Sequence, residues 1–137
     1  MKRHKFFLDT AYIIAFLNPN DIFHSKAKEL FPSVQTAHEI WITEAVLIEI
    51  GNALSRSNRE VAVDFINGCY FSPNVRVVSV DNELLQRAID LYHDRKDKEW
   101  GLTDCISFIV MKDQGLKYAL TTDEHFQQAG YIILLTE

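Results

Sequence analysis

The chain reads as an α/β protein, a three-layer α/β/α sandwich with a mostly parallel central sheet. Short apolar runs of strand length alternate with helix-periodic segments from end to end, and neither an internal repeat nor a linker breaks the alternation. Size and composition agree, because 137 residues, 47% hydrophobic and 24% charged, suit one globular core and exclude a disordered or fibrous chain. Residues 1–137 are therefore read as a single domain. In such a sheet ligands bind beyond the carboxyl ends of the strands, which directs attention to the residues just past those ends.

The first strand is Lys5 to Leu8, an apolar run carrying Phe6 and Phe7. Asp9 and Thr10 lead from it into a helix holding Tyr12, Ile13, Ile14, Phe16 and Leu17. Asn18 to Asp21 is a turn cluster. His24 to Phe31 has helical spacing, with Ala27, Leu30 and Phe31 inside and Lys26, Lys28 and Glu29 outside, and Pro32 is expected to close it. Ile40 to Ile42 is the second strand, and Thr43 is placed to cap a helix from Glu44 to Leu54. Ser57 with Glu60 fits a capping box for a helix ending at Gly68.

Val75 to Val80 is a valine-rich buried strand, and Asp81 caps an amphipathic helix marked by Leu84, Leu85, Ala88, Ile89, Leu91 and Tyr92. After the charged run Arg95 to Glu99, Thr103 starts a helix through Gln114 that Gly115 stops. Tyr118 to Thr121 and Tyr131 to Leu135 are the last two strands.

Composition excludes several function classes. A formal charge of -5 argues against nucleic-acid binding through an overall basic field, though a local groove remains open, with Lys2, Arg3, Lys5, Arg56, Arg59, Arg95, Lys96 and Lys98 as its candidates. Cys69 and Cys105 form no CxxC, so reduced thiols in the cytoplasm are expected rather than a disulfide framework or thiolate zinc site. The basic start and apolar run of MKRHKFFLDTAYIIAFL are interrupted by Asp9, and no segment approaches the ~18–20 apolar residues that cross a bilayer; no membrane association is expected. There is no Gly-rich phosphate loop, no GxSxG, and no zinc spacing among the histidines. A phosphoaspartyl hydrolase is disfavoured because Asp9 is followed by Thr10 and Ala11, with no second acid two residues on.

Four acids stand in telling places. Asp9 lies past the first strand between apolar residues, where a buried carboxylate is costly unless a cation or hydrogen bonds compensate. Asp123 lies past the strand ending at Thr121. Glu49 sits at the edge of the arc formed by Val46, Leu47, Ile50, Ala53 and Leu54, whereas Glu44, in the first turn, suits a helix-dipole role. Asp104 opens a helix that is apolar nearly all round, on one face with Phe108 and Met111, and Thr103 and Ser107 flank it as groups that could orient it. Acids delivered to one rim repel unless divalent cations neutralise them, and Mg2+ or Mn2+ is the natural partner for oxygen ligands. Such ions position a nucleophilic water and stabilise charge on a phosphoryl oxygen. These four acids account for most of the formal charge of -5.

The order and context of these acids resemble those of PIN-domain ribonucleases, most closely the small single-domain toxins of the VapBC type. The stretches that carry the resemblance are FLDTAYIIAFLNPND, ITEAVLIEIGNAL and WGLTDCISFIVMKDQGLKYALTTDEHFQQAGY, and together they extend over essentially the whole chain. The resemblance implies a compact α/β/α sandwich in which Asp9, Glu49, Asp104 and Asp123 hold one or two Mg2+ or Mn2+ ions for endonucleolytic cleavage of RNA. It makes Asp9, Glu49 and Asp104 the central metal ligands, Asp123 a second or water-mediated ligand, and Thr10 and Thr122 neighbouring hydroxyls. It further implies a small antitoxin partner and a homodimer; in the sequence Phe23, Phe31, Val61 and Phe65 could serve an interface, with core packing their favoured role. The competing reading is a noncatalytic module of the same fold that binds RNA or a partner protein, against which the four intact acids count.

Overall fold

The order in which the strands enter the sheet explains where the site forms. A computed structural model describes residues 4–136; Lys2 and Arg3, counted above among the basic candidates, lie outside the described residues. The elements are β1 (Lys5–Leu8), α1 (Thr10–Leu17), α2 (His24–Gln35), β2 (Glu39–Thr43), α3 (Glu44–Ala53), α4 (Arg59–Phe71), β3 (Val75–Val78), α5 (Asn82–Asp94), α6 (Leu102–Asp113), β4 (Tyr118–Leu120), α7 (Glu124–Gln128) and β5 (Ile132–Ile133). The strands form one sheet in the order β3-β2-β1-β4-β5, and every pairing is parallel. The chain moves outward from β1 through β2 to β3, then returns across the sheet to β4 and β5. With right-handed crossovers this reversal puts α1 to α4 on one face and α5 to α7 on the other, in agreement with their mutual packing. Between β1 and β4 the direction of winding switches, and the crevice at their carboxyl ends is the ligand position of doubly wound sheets.

Burial follows from that order. Phe6, Phe7 and Leu8 of the central strand are all buried, as expected for a strand covered on both faces. Helix α6 is buried over seven successive residues, Cys105 to Met111, because the sheet lies on one side and α5 and α7 on the other. Around Phe108 an aromatic cluster gathers Trp100, Phe126 and Tyr131, at ring centroid distances of 4.9, 5.0 and 6.1 Å. Phe126 also reaches Phe7 of β1 at 6.1 Å, tying α7 to the central strand.

Local signals set most boundaries. Thr43 caps α3 by accepting from Val46 N at 3.2 Å, and Asp81 caps α5 by accepting from Leu84 N at 2.8 Å. Gly115, with φ +65°, ends α6: its N–H bonds to Lys112 O, and Leu116 N bonds to Met111 O at 2.9 Å.

Five expectations are corrected. Helix α2 does not stop at Pro32 but continues to Gln35. Pro32 and Lys28 are both exposed, so the carbonyl that loses its donor is open to water, and Thr36 N and Oγ1 bond Pro32 O. The cap of α4 is Asn58, accepting from Val61 N at 3.2 Å, rather than Ser57 with Glu60. Helix α6 begins after Gly101, one turn position ahead of Thr103, because the Asp104 carboxylate reaches back to Gly101 N at 3.1 Å. Ala53 is exposed at the end of α3, outside the core arc assigned to it. Strand β3 is shorter than its apolar run, since Val80 N is taken by the Glu44 carboxylate at 2.7 Å instead of a neighbouring strand, and β5 is confined to Ile132–Ile133. Among the described residues no helix is long and apolar enough to cross a membrane.

Candidate active site

Asp9 is the residue after β1, and its N–H extends the ladder to Leu120 O at 3.2 Å. That bond holds its carboxylate in the crevice between β1 and β4, where it is only 6% exposed. Burial pushes the carboxyl up to about 7, with the Asp104 and Glu49 charges adding to the shift. Opposing them is Thr121 Oγ1, which donates to Asp9 Oδ2 at 2.8 Å. The same hydroxyl accepts from Asp123 N at 3.0 Å, so one fully buried threonine links the ends of β1 and β4. Thr122, the hydroxyl expected beside Asp123, makes no hydrogen bond among the described residues; its neighbour Thr121 has that place.

Asp104 comes from the other face, in the first turn of α6. Its side chain is 18% exposed, and burial raises its carboxyl, with Asp123 adding to the shift and Gly101 N and His125 opposing it. Trp100 fixes this turn from below: it is buried, lies under the Arg95 guanidinium at 4.9 Å, and donates from Nε1 to Gln128 Oε1 of α7 at 3.0 Å. Ser107 does not orient Asp104. Its buried hydroxyl donates to Thr103 O at 3.1 Å, the usual sink for a serine inside a helix.

Asp123 caps α7, accepting from His125 N at 2.8 Å. Phe126, fully buried one turn on, anchors that short helix. Glu49 approaches from α3; it is exposed, and Thr10 Oγ1 donates to its Oε1 at 3.0 Å. Thr10 is the first residue of α1, so the strand end that places Asp9 also orients Glu49. Glu44 has a structural task in bonding Val80 N, consistent with its separation from Glu49 in the sequence reading.

The four acids thus come from four elements and meet at one rim: Glu49 and Asp104 both act on Asp9, and Asp123 acts on Asp104. The sequence reading passed over His125. Its Nδ1 lies 3.2 Å from Asp104 Oδ2 and 3.3 Å from Asp123 Oδ1. One ligand atom from each of Asp104, Asp123 and His125 lies within 4.8 Å of the others, close enough to surround a single ion. The signal was the position of His125 two residues after Asp123, inside the first turn of α7. Thr121, Trp100 and Gln128 were also missed, because their roles depend on contacts between elements far apart in sequence.

The donor set fits a hard divalent cation. A carboxylate buried in apolar surroundings and pressed by two further carboxylates is an arrangement that cation binding relieves, and all the donors on Asp9, Glu49, Asp104 and Asp123 are oxygens. Comparison with known proteins agrees with this architecture. The chain is 29% identical over 126 residues, 92% of its length and 95% of the relative, to the 23S rRNA-specific endonuclease VapC20 of Mycobacterium tuberculosis. The crystal structure of that protein, described as a Sarcin-Ricin loop cleaving toxin, superposes with a TM-score of 0.81 at 28% identity, covering 93% of this chain and 96% of the other. DNA-bound VapBC from Salmonella typhimurium shares the fold, with a TM-score of 0.63 at 18% identity over 95% of this chain and 96% of the other. The sequence profile of the PIN domain matches residues 6–131, a span that runs from within β1 past the end of α7 and holds all four acids, and the chain therefore belongs to the PIN-domain family.

Proposed function

We propose that the protein is a divalent-metal-dependent endoribonuclease and the toxin of a toxin–antitoxin pair. The observation that carries this reading is the convergence of Asp9, Glu49, Asp104 and Asp123 on the crevice between β1 and β4, with Asp9 buried and raised to about 7. Asp9, Glu49 and Asp104 would hold Mg2+ or Mn2+, with Asp123 completing the set. The bound ion supplies Lewis acidity for a water attacking the phosphodiester and charge stabilisation on the phosphoryl oxygens.

The chain's own groups prepare that chemistry. Thr121 keeps Asp9 available as a carboxylate by donating to Oδ2, and Thr10 holds Glu49 toward the same rim. The Gly101 amide restrains Asp104. Lys96 and Lys98, exposed or half-exposed in the loop before α6, are cations close in sequence to Asp104 that are open to an RNA backbone, whereas Arg95 is paired with Asp97 at 3.0 Å and stacked on Trp100. RNA is the substrate class of VapC20, the relative similar over nearly the whole chain.

A protein partner has support at the surface. Phe23, Val61 and Phe65 pack against the core, and Phe31 packs on Phe16 at 4.7 Å, so these interface candidates are largely committed within the fold. Val63, Tyr70 and Phe71 of α4 and Ile48 of α3 are among the apolar side chains left exposed, and they offer an antitoxin or a second copy of the chain its contact area. Free, buried Cys69 and Cys105 suit a reducing cytoplasm.

The test is cleavage of a structured RNA pool by the purified protein with Mg2+ or Mn2+, alongside EDTA and Asp104→Asn controls. Loss of cleavage in both controls is expected. Cleavage that persists in both would sink the metal-dependent reading; with no cleavage, a melting temperature that metal does not raise would favour the noncatalytic binding module, and one that metal raises would favour a narrow substrate.

A further inference from the structure

We propose that His125 is a positioning residue that clamps Asp104 to Asp123 by one oxygen of each and leaves their other oxygens for a shared cation. This inference rests on the metal site of the preceding section and adds to it a residue that is not an acid. Each carboxylate turns one oxygen toward the protein: Asp104 Oδ2 accepts from Gly101 N at 3.1 Å and faces His125 Nδ1 at 3.2 Å. Asp123 Oδ1 accepts from His125 N at 2.8 Å and faces the same Nδ1 at 3.3 Å. Among the described residues Asp104 Oδ1 and Asp123 Oδ2 accept no hydrogen bond. A carboxylate only accepts, so the ring donates from Nδ1, and a nitrogen that carries this proton has no lone pair for a metal.

The arrangement solves an electrostatic problem. Asp123 acts on Asp104 unfavourably, and two carboxylates brought together from separate elements repel unless a group between them compensates. The His125 ring, 26% exposed on its side chain, lies between them, and its backbone is held in the turn that Asp123 caps and Phe126 anchors. The pair is thereby assembled ahead of the cation, which then binds without having to draw the two acids together.

Binding of Mn2+ to the intact protein, measured by calorimetry and by the loss of free-ion EPR signal, tests the clamp. His125→Ala is expected to weaken Mn2+ binding about tenfold. His125→Asn, whose Nδ2 can take the place of Nδ1, is expected to recover most of that loss. In RNA cleavage the metal concentration for half-maximal rate should rise in His125→Ala, while the rate at saturating metal changes little. Unfolding temperatures of the variants, measured with EDTA, separate lost binding from lost structure.

Unchanged affinity in His125→Ala would overturn the clamp. So would tighter binding, which makes the ring a competitor of the ion, or a nitrogen coupling in the pulsed EPR of bound Mn2+ that vanishes in His125→Ala, which makes it a direct ligand. Asp104→Asn run beside these distinguishes the two levels: if neither the wild type nor this variant differs in Mn2+ binding, the metal site itself fails, and the clamp with it.

Discussion

Thr121 Oγ1 donates to Asp9 Oδ2 at 2.8 Å from a position with no exposure at all, across 112 residues of sequence. This bond lowers the Asp9 carboxyl against the burial that raises it to about 7. Thr121→Val, which keeps the shape and removes the hydroxyl, should push the carboxyl higher still. The acid limb of the pH–rate profile is expected to move up by about one pH unit, given the ~1.5–3 kcal/mol typical of a hydrogen bond to a charged group. Thr121→Ser should restore the original profile, and an unmoved limb in Thr121→Val would refute the role.

The same buried carboxyl makes stability depend on pH in a defined direction. Asp9 takes up its proton near pH 7 in the folded chain but near 3.8 in the unfolded one. As pH falls from 8 through about 7 the folded state therefore binds the proton first and gains stability, a gain complete below about 4 and lost again as pH rises through about 7. Asp104, also raised, works in the same sense. In EDTA the protein is expected to melt a few degrees higher at pH 6 than at pH 8, from about 1 kcal/mol for one such group. Saturating Mg2+ should shrink the difference, and Asp9→Asn should remove the part due to Asp9 while abolishing cleavage. Melting that falls from pH 8 to pH 6 in EDTA is the result that contradicts it.

Glu44 and Glu49, five residues apart on α3, should separate cleanly. Glu44→Ala leaves Val80 N without its acceptor at 2.7 Å and is expected to cost about 1–2 kcal/mol while cleavage stays near the wild-type rate. Glu49→Gln, at an exposed position, should leave urea unfolding within about 0.5 kcal/mol of the wild type. It should nevertheless lower cleavage by a hundredfold or more. Equal effects of the two on rate would remove the distinction.

Thr10→Val tests the other hydroxyl. It frees Glu49 Oε1 from its 3.0 Å donor on the exposed rim, so stability should change by less than about 0.5 kcal/mol. Titration with Mn2+ should show binding weakened several-fold, less than for a lost ligand, because Glu49 retains its place on α3.

Much of this protein is legible along the chain. The apolar runs marked all five strands, and Thr43, Asp81 and Gly115 marked helix ends, because each of those signals acts within a few residues. The same locality explains the failures. Pro32 stays inside α2 because the carbonyl it leaves without a donor is open to water, and Asn58 rather than Ser57 caps α4 because its side chain is the one that accepts from Val61 N.

The positions of the acids were legible for a related reason: a carboxylate just past an apolar strand, or opening a buried helix, stands out from its neighbours. What holds those acids was not. Thr121 on Asp9, Thr10 on Glu49, Trp100 on Gln128 and His125 between Asp104 and Asp123 are contacts between elements that meet only once the sheet is wound in the order β3-β2-β1-β4-β5. The sequence by itself determined which side chains carry charge and which segments are strands and helices, because periodicity and capping are local. Only the tertiary structure decided which hydroxyl, amide or ring faces each carboxylate, because that depends on the reversal of winding between β1 and β4.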